Sequence, residues 1–323
     1  MKDSAPKWTR GHEPGGDMEV GIDVGGTKTQ IVVADGGAPL ADTTLPTAHW
    51  RQGPLFSDQA NARRLLDSVP DGAVGRPDVP LAAGVHGCDS VEQCQTLEAW
   101  LRAIHPGPVL VVNDSELFGP AAGFARAVNV VAGTGSIVVG RTATGKLVKK
   151  GGFGWLLGDP GSAPALVRES VRAILQAHDS GDHPGPLARA LMDHYGSPDP
   201  VQLGYDFTAD AEITHWGALS PKVFEAAAAG DRIAADVIGQ QAAELAEDAR
   251  WLRARGALGD DVVIAGGVAQ AQPALTGAFT RRLAQLDPNL RVTVLQTPPV
   301  LGALKLARLL TTNSETEPKQ TEE

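Results

Sequence analysis

The sequence predicts an α/β protein of two related lobes with a cleft between them. Two observations carry that expectation. A strand, a glycine-rich turn and a second strand occur in that order near residue 20 and again near residue 130, each pair followed by helical segments. The chain of 323 residues, 42% hydrophobic, also has material for about two domains at roughly 100–200 residues each.

In chain order, residues 19–24 read as a strand, 30–34 as a second, and Asp35-Gly36-Gly37 as a hairpin turn into 39–44, so the chain opens on a β-meander. Ser57 reads as the N-cap of a helix reaching residue 69. Ser90-Val-Glu-Gln93 fits the Ser/Thr-x-x-Glu/Gln capping box, and Val91, Cys94, Leu97, Leu101 and Ile104 then recur at spacings of three and four, the stripe of one buried helical face. Residues 109–113 form a short apolar strand ending at Asp114. Residues 129–132 and 136–140 are two more strands, joined by Gly133-Thr134-Gly135. The remainder is more helical, at 162–178, 231–255 and 271–286. In the longest segment Ile233, Val237, Ile238, Ala242, Leu245 and Leu252 point inward behind an Asp231 cap. Residues 261–265 are a buried strand ending in Gly266-Gly267. The polar, aperiodic stretches 1–17 and 312–323 read as disordered tails. The lobes are expected at 18–117, with 299–311 packing back on it, and at 118–298.

Composition narrows the function. The net charge is −10, and residues 312–323 carry four Glu against one Lys. An acidic body without a cluster of Lys and Arg argues against nucleic acid or an anionic membrane as partner. Two cysteines make no disulfide framework, and no apolar run of signal-peptide or membrane-spanning length occurs, so a cytoplasmic protein is expected. Glycine stands out at 38 residues, without the Gly-X-Y period of collagen.

Between two strands, Val24-Gly25-Gly26-Thr27-Lys28-Thr29 can bring backbone N–H groups close to an anion, with hydroxyl and ammonium donors beside them. Taken singly it reads as an ordinary hairpin turn. It is not a Walker A loop, because Thr27 separates the second glycine from the lysine and a strand follows; nor does the chain contain G-x-G-x-x-G. Read together, Asp23 before this loop, Asp114 at a strand end, the turn Gly133-Thr134-Gly135-Ser136, and Gly266-Gly267 after a third strand make a set suited to phosphate chemistry.

These residues resemble the sugar-kinase, heat-shock-protein and actin ATPase superfamily, and within it the BadF/BadG/BcrA/BcrD type that includes N-acetylglucosamine kinases. Gly21-Ile-Asp-Val-Gly-Gly-Thr-Lys-Thr29 is similar to its first phosphate motif and Val112-Asn-Asp-Ser115 to the segment with the catalytic aspartate. Val131-Ala-Gly-Thr-Gly-Ser136 resembles the second phosphate motif, and Val263-Ile-Ala-Gly-Gly-Val268 the adenosine motif. Gly151-Gly-Phe-Gly-Trp-Leu-Leu-Gly-Asp-Pro-Gly-Ser162 resembles a sugar-binding stretch of the hexosamine kinases. The resemblance implies two ribonuclease H-like, actin-like ATPase lobes with nucleotide and sugar in the interlobe cleft. It implies a small-molecule kinase using ATP and Mg²⁺, a sugar partner and a homodimer.

By the same resemblance, Gly25, Gly26, Thr27 and Lys28 would cradle the β- and γ-phosphates, and Thr134 and Gly135 would contact the γ-phosphate. Gly266, Gly267 and, most weakly, Gly230 would line the adenosine pocket, and Asp23 would hold Mg²⁺. Asp114 would be the general base, although from spacing alone it reads equally as a cap for the segment at Ser115. Ser136, Gly152, Phe153, Gly154 and Asp159 would bind the sugar. Asp159 reads otherwise as a turn residue or helix-entry carboxylate; Phe153 or Trp155 could lie against an apolar face of the sugar, and each reads equally as core.

Ala48 and Ile137 stand where the hexosamine kinases carry Asn, which leaves the sugar's identity open. His86 and Asp89 are candidates to replace those contacts. Related partner-activating ATPases hold an iron–sulfur cluster with cysteines, whereas Cys94 belongs to the apolar helical stripe, and the six-residue offset of Cys88 matches no metal spacing.

Overall fold

The computed structural model describes residues 17–210 and 212–314, so the expected tails lie almost wholly outside the described residues. The chain divides into two compact units, one holding the described residues to 125 and those from 297, the other residues 126–296.

In the first unit, β1 (Met18–Val24), β2 (Lys28–Asp35) and β3 (Ala38–Pro46) form the antiparallel meander, and α1 (Ala60–Asp67) follows. Ser57 is not its cap: it lies in a 3₁₀ turn, Leu55–Ser57, and the neighbouring Asp58 carboxylate takes the Ala60 amide instead. Next come β4 (Leu81–Val85), α2 (Val91–Arg102), β5 (Val109–Asn113) and the short α3 (Phe118–Ala122). β1, β4 and β5 pair in parallel, giving the order β3-β2-β1-β4-β5. The Ser90 hydroxyl accepts from the Gln93 amide, as expected of an N-cap, while the Gln93 side chain reaches one residue further back, to the Asp89 amide. Cys94, Leu97 and Leu101 are buried from that helix. Burying each leucine stabilises the fold by roughly 1.5–3 kcal/mol.

The second unit repeats the plan. Its meander is β6 (Val128–Ala132), β7 (Ser136–Arg141) and β8 (Leu147–Gly151), and helices α4 (Ala163–Asp179), α5 (Pro186–Tyr195), α6 (Pro200–Ala209), α7 (Ile213–Ala218), α8 (Ser220–Ala228) and α9 (Arg232–Ala254) follow. The chain returns as β9 (Asp261–Ala265), α10 (Gly267–Ala271), α11 (Pro273–Leu286) and β10 (Arg291–Val294). β9 and β10 run parallel to β6, so the order β10-β9-β6-β7-β8 reproduces the first sheet strand for strand. The helix expected at 271–286 is α11, which begins at Pro273; Ala271 belongs instead to the short α10, which ends before Pro273 because proline has no amide to continue a helical ladder. Val237, Ile238, Ala242, Leu245 and Leu252 of α9 are buried in the core with α4, α11 and the sheet.

Last, α12 (Val300–Ser314) packs on the first unit, burying Val300 and Leu304 against Val32 and Ala34. It extends past Thr312, where the second tail was expected to begin. Close approach depends on a missing side chain, since a Cβ on Gly21 would lie 2.8 Å from the Leu304 amide nitrogen. Glu19, 2% exposed, accepts two charge-assisted bonds from the partly exposed Arg308 at 2.6 and 2.8 Å, a pair that ties α12 to β1.

Candidate active site

Ligands of α/β sheets gather at the carboxyl ends of parallel strands. In the first unit the register pairs Asp23 with Gly84, and Val85 with Asn113. The next residue along β4 is His86 and along β5 is Asp114, so Asp23, His86 and Asp114 come together at one end of the sheet. His86 Nδ1 stands 3.6 Å from Asp114 Oδ2. The Asp114 carboxylate beside it raises the His86 pKa, and burial partly offsets it. Asp23 is pushed up to about 7, first by burial and then by the Asp114 charge, with Lys28 pulling the other way.

The two carboxylate oxygens of Asp114 have different surroundings. Its Oδ1 accepts from the Ser115 amide at 3.0 Å, a local cap, while Oδ2 is directed to His86. Asn113 fixes the strand end: its Oδ1 takes the Ser115 hydroxyl and amide, and its Nδ2 donates to the Cys88 carbonyl at 3.1 Å and to Asp89 Oδ1 at 3.3 Å. Asp89 therefore joins the cluster through Asn113. Cys88 and Cys94 are buried and form no disulfide, and the hydrogen bond between them followed by burial drives the Cys88 pKa upward, away from a reactive thiolate. Among the described residues no group of three His, Cys, Asp or Glu could by itself hold a metal ion.

Gly25 to Lys28 form the turn between β1 and β2, with the Gly25 amide donating to the Lys28 carbonyl at 2.9 Å. Gly26, Thr27 and Lys28 are exposed. Thr47 grips this turn from outside: its hydroxyl donates to the Gly25 carbonyl and its amide to the Thr27 carbonyl, both at 2.9 Å. Thr47 and its partners Thr29 and Trp50 were missed as functional positions. A threonine in β2, another in the 3₁₀ turn after β3 and a tryptophan carry no signal until the fold brings them under the turn.

In the second unit, Gly133-Thr134-Gly135 forms the turn between β6 and β7, and Ser136 opens β7 with a buried hydroxyl that finds no hydrogen-bond partner among the described residues. A buried hydroxyl without a partner is costly, and a ligand oxygen or nitrogen would relieve it. Asp159, buried, accepts from the Gly154 amide at 3.2 Å and from the Ser136 backbone, while burial raises its pKa. It is also the one non-glycine residue at positive φ, 58°, among those described. Strain of that kind is held in place only by well-determined surroundings and gathers at functional sites. Asp159 thus connects the turn to the loop at 152–158, where Gly152 and Gly154 are at positive φ and Phe153 is 71% exposed. Trp155 packs edge-on against Trp216 with centroids 4.6 Å apart, while the 71% exposure of Phe153 sets aside its reading as core. Ile137 lies directly against Gly152.

A Cβ on Gly266 would lie 2.5 Å from the Ala132 carbonyl oxygen, which brings the end of β9 against β6 beside Gly133. Gly267 opens α10 with nothing near its Cβ direction. Gly230 is explained locally: at φ 89° it terminates α8, and Asp231 beside it caps α9 through the Ala234 amide while also accepting from the Leu187 amide in α5.

A family model described as the BadF/BadG/BcrA/BcrD ATPase family matches residues 20–305. The chain belongs to that family. It is 24% identical over 322 residues to an N-acetyl-D-glucosamine kinase of Dictyostelium discoideum, covering 90% of this chain and 98% of the relative. It is also 24% identical over 305 residues to an N-acetylmuramic acid/N-acetylglucosamine kinase of Clostridium acetobutylicum, covering 90% and 97%. Among solved structures, a provisionally named N-acetylglucosamine kinase from Chromobacterium violaceum superimposes with a TM-score of 0.64 at 26% identity, over 91% of this chain and 98% of that one. A ROK family glucokinase from Streptomyces griseus, solved with glucose and AMPPNP, shares the fold at a TM-score of 0.51 and 18% identity, over 91% and 99%. The family and fold class read from the motifs are both borne out. No helix among the described residues is long and apolar enough to cross a membrane.

Proposed function

We propose that this member of the BadF/BadG/BcrA/BcrD family is an ATP-dependent kinase that phosphorylates a hydroxyl of an amino sugar, N-acetylglucosamine or a glucosamine-like hexosamine. The observation that carries the reading is Asp114, a partly exposed carboxylate at the end of β5 whose Oδ2 is free of backbone capping, in a chain whose relatives with near-complete overlap are hexosamine kinases.

Phosphoryl transfer is catalysed by positioning and charge neutralisation more than by covalent chemistry. Asp114 Oδ2 accepts the proton of the sugar hydroxyl and aims that oxygen. His86 orients the carboxylate, and Asp89 holds the strand end through Asn113. The amides of the Gly25-Gly26-Thr27 turn, with Lys28, receive the β- and γ-phosphates; Thr134 and Gly135 receive the γ-phosphate, and Gly266 and Gly267 leave bare backbone for adenosine. Asp159, the Ser136 hydroxyl and the loop of Gly152, Phe153 and Gly154 bind the sugar. Asp23 fits a magnesium ion: it is a hard oxygen donor whose charge burial and the Asp114 carboxylate both disfavour, so a cation beside it would compensate that charge, and Mg²⁺ favours one or two carboxylates completed by water and phosphate over a protein cage. Bound there, the ion would neutralise phosphate charge. A cytoplasmic setting and a homodimer belong to the same reading as family-level expectations.

The test is ADP release across a panel of hexoses, hexosamines and N-acylhexosamines, with Asp114→Asn as control. An amino sugar should give sugar-dependent ADP and a phosphorylated product. The variant should bind nucleotide but lose about 10²–10⁴ in turnover, the typical worth of a positioned base. Sugar-independent hydrolysis without a phosphorylated product would instead favour a partner-activating ATPase.

A further inference from the structure

Behind the turn at Gly25 to Lys28 lies a buried chain of three hydrogen bonds. Trp50 Nε1 is 2.9 Å from Thr29 Oγ1, Thr29 Oγ1 is 3.0 Å from Thr47 Oγ1, and Thr47 Oγ1 is 2.9 Å from the Gly25 carbonyl oxygen. Thr29, Thr47 and Trp50 are all buried. The direction of the chain follows from its ends. An indole N–H can only donate and a carbonyl can only accept, while each hydroxyl has one proton. Thr47 uses its proton on Gly25, so it must accept from Thr29, and Thr29 in turn accepts from Trp50. The order is Trp50 to Thr29 to Thr47 to Gly25, with every dipole aligned, the arrangement in which neighbouring bonds strengthen one another.

The carbonyl at the end of this chain governs an amide. Across a planar trans peptide, C=O and N–H point in opposite directions. Holding the Gly25 oxygen toward Thr47 therefore turns the Gly26 N–H away from the protein interior. The Thr27 carbonyl is held on the same side by the Thr47 amide at 2.9 Å. Among the described residues neither the Gly26 nor the Thr27 amide has a hydrogen-bond partner of its own. Two donors are thus left open, and the protein has spent three buried side chains on fixing how the turn presents them.

We propose that Thr29, Thr47 and Trp50 are positioning residues for the nucleotide's terminal phosphates: they touch no substrate and act by fixing the Gly25–Gly26 peptide so that its amide is preset for an anion. This rests on the reading of the turn as a phosphate site. The consequence is selective. Loss of the chain weakens ligands with a β-phosphate and leaves those without one unaffected.

The experiment measures ADP and AMP affinities by calorimetry, with magnesium present, for wild type, Thr29→Val, Thr29→Ser and Trp50→Phe. Thr29→Val keeps the shape and removes both the link and its proton; it should weaken ADP roughly tenfold with AMP unchanged, and raise the KM for ATP by a similar factor. Thr29→Ser restores the hydroxyl and should restore ADP affinity. Trp50→Phe removes only the first donor and should produce the same pattern at about two- to threefold, and it decides the matter if Thr29→Val does not fold. Wild-type ADP affinity in Thr29→Val, or equal weakening of ADP and AMP, overturns the proposal. If Lys28→Ala abolishes ADP binding while Thr29→Val does not weaken it, the positioning role fails and the phosphate site stands. If wild type binds AMP and ADP equally, the phosphate site itself fails and the proposal with it.

Discussion

The raised pKa of Asp23 predicts that the metal-free protein is stabilised by removing a residue assigned to its function. The perturbation is Asp23→Asn, which keeps the shape of the side chain and removes its ionisation. In the folded protein the Asp23 pKa rises from 3.8 to about 7, a shift of about three units, caused by burial and by Asp114. At roughly 1.4 kcal/mol per unit the ceiling is about 4 kcal/mol. Asp23 keeps some solvent contact and Lys28 attracts its charge, so about 2 kcal/mol is the expected cost. The sign is fixed by proton binding: between pH 4 and 7 the folded state holds more protons than the unfolded state, so this group's contribution falls as pH rises through that window. The variant has no such loss. Thermal unfolding with chelator present should show variant and wild type alike near pH 4.5, and the variant ahead by roughly 4–8 °C near pH 8, taking 2–4 °C per kcal/mol for a unit of this size. Magnesium and ATP should then reverse the order, because only wild type gains the stabilisation of a tightly bound ligand. A difference that is the same at both pH values, or a variant less stable at pH 8, would refute the burial argument.

The glycines at the end of β9 should separate structure from ligand contact. Gly266→Ala meets both φ 112° and the Ala132 carbonyl, and should lower the melting temperature without any ligand, by the equivalent of about 1–3 kcal/mol or more. Gly267→Ala meets neither; it should leave unfolding unchanged or slightly raised and should weaken adenosine-nucleotide affinity in calorimetry. Asp231→Ala deletes a helix cap and a second buried amide acceptor, so a loss of about 2–4 kcal/mol in denaturant unfolding is expected, with kinetics unchanged in the folded fraction.

Where a local rule was sufficient, the sequence was legible. Residues 109–113 and 261–265 are runs rich in β-branched residues, bounded by proline, aspartate or glycine, and both strands occur with those bounds. Ser90, Ser162 and Asp231 each accept from the amide three residues on, because capping is decided within one turn. β4 was not legible. Its sequence Leu-Ala-Ala-Gly-Val has little β propensity, and it is a strand because it lies between two parallel partners and is buried throughout. Helices α5, α6 and α8 did carry a local signal, a proline in the first turn, preceded in α6 by the Asp199 cap. The grouping of Asp23, His86 and Asp114 needs the order β1-β4-β5, which comes from pairings between distant segments that no window of sequence contains. The motif resemblance located Asp23 and Asp114, but not that His86 would face the second of them.

The glycine excess divides along the same line. Gly21 is required by the packing of α12, and Gly266 by the approach of β9 to β6; both are glycine because a Cβ would strike backbone. Gly26 and Gly267 are different. Neither is at positive φ, Gly26 has only the His86 ring 3.7 Å away, and Gly267 has nothing within reach. Alanine at either position would fit and would reduce the entropy of the unfolded chain, so folding alone gives no reason for glycine there. What glycine supplies at such a place is bare backbone that another molecule can approach closely. Gly26 offers an exposed amide without a partner among the described residues, two residues before Lys28. In a protein of net charge −10, such donors aimed by buried side chains are how a polyanion can be held without a basic surface.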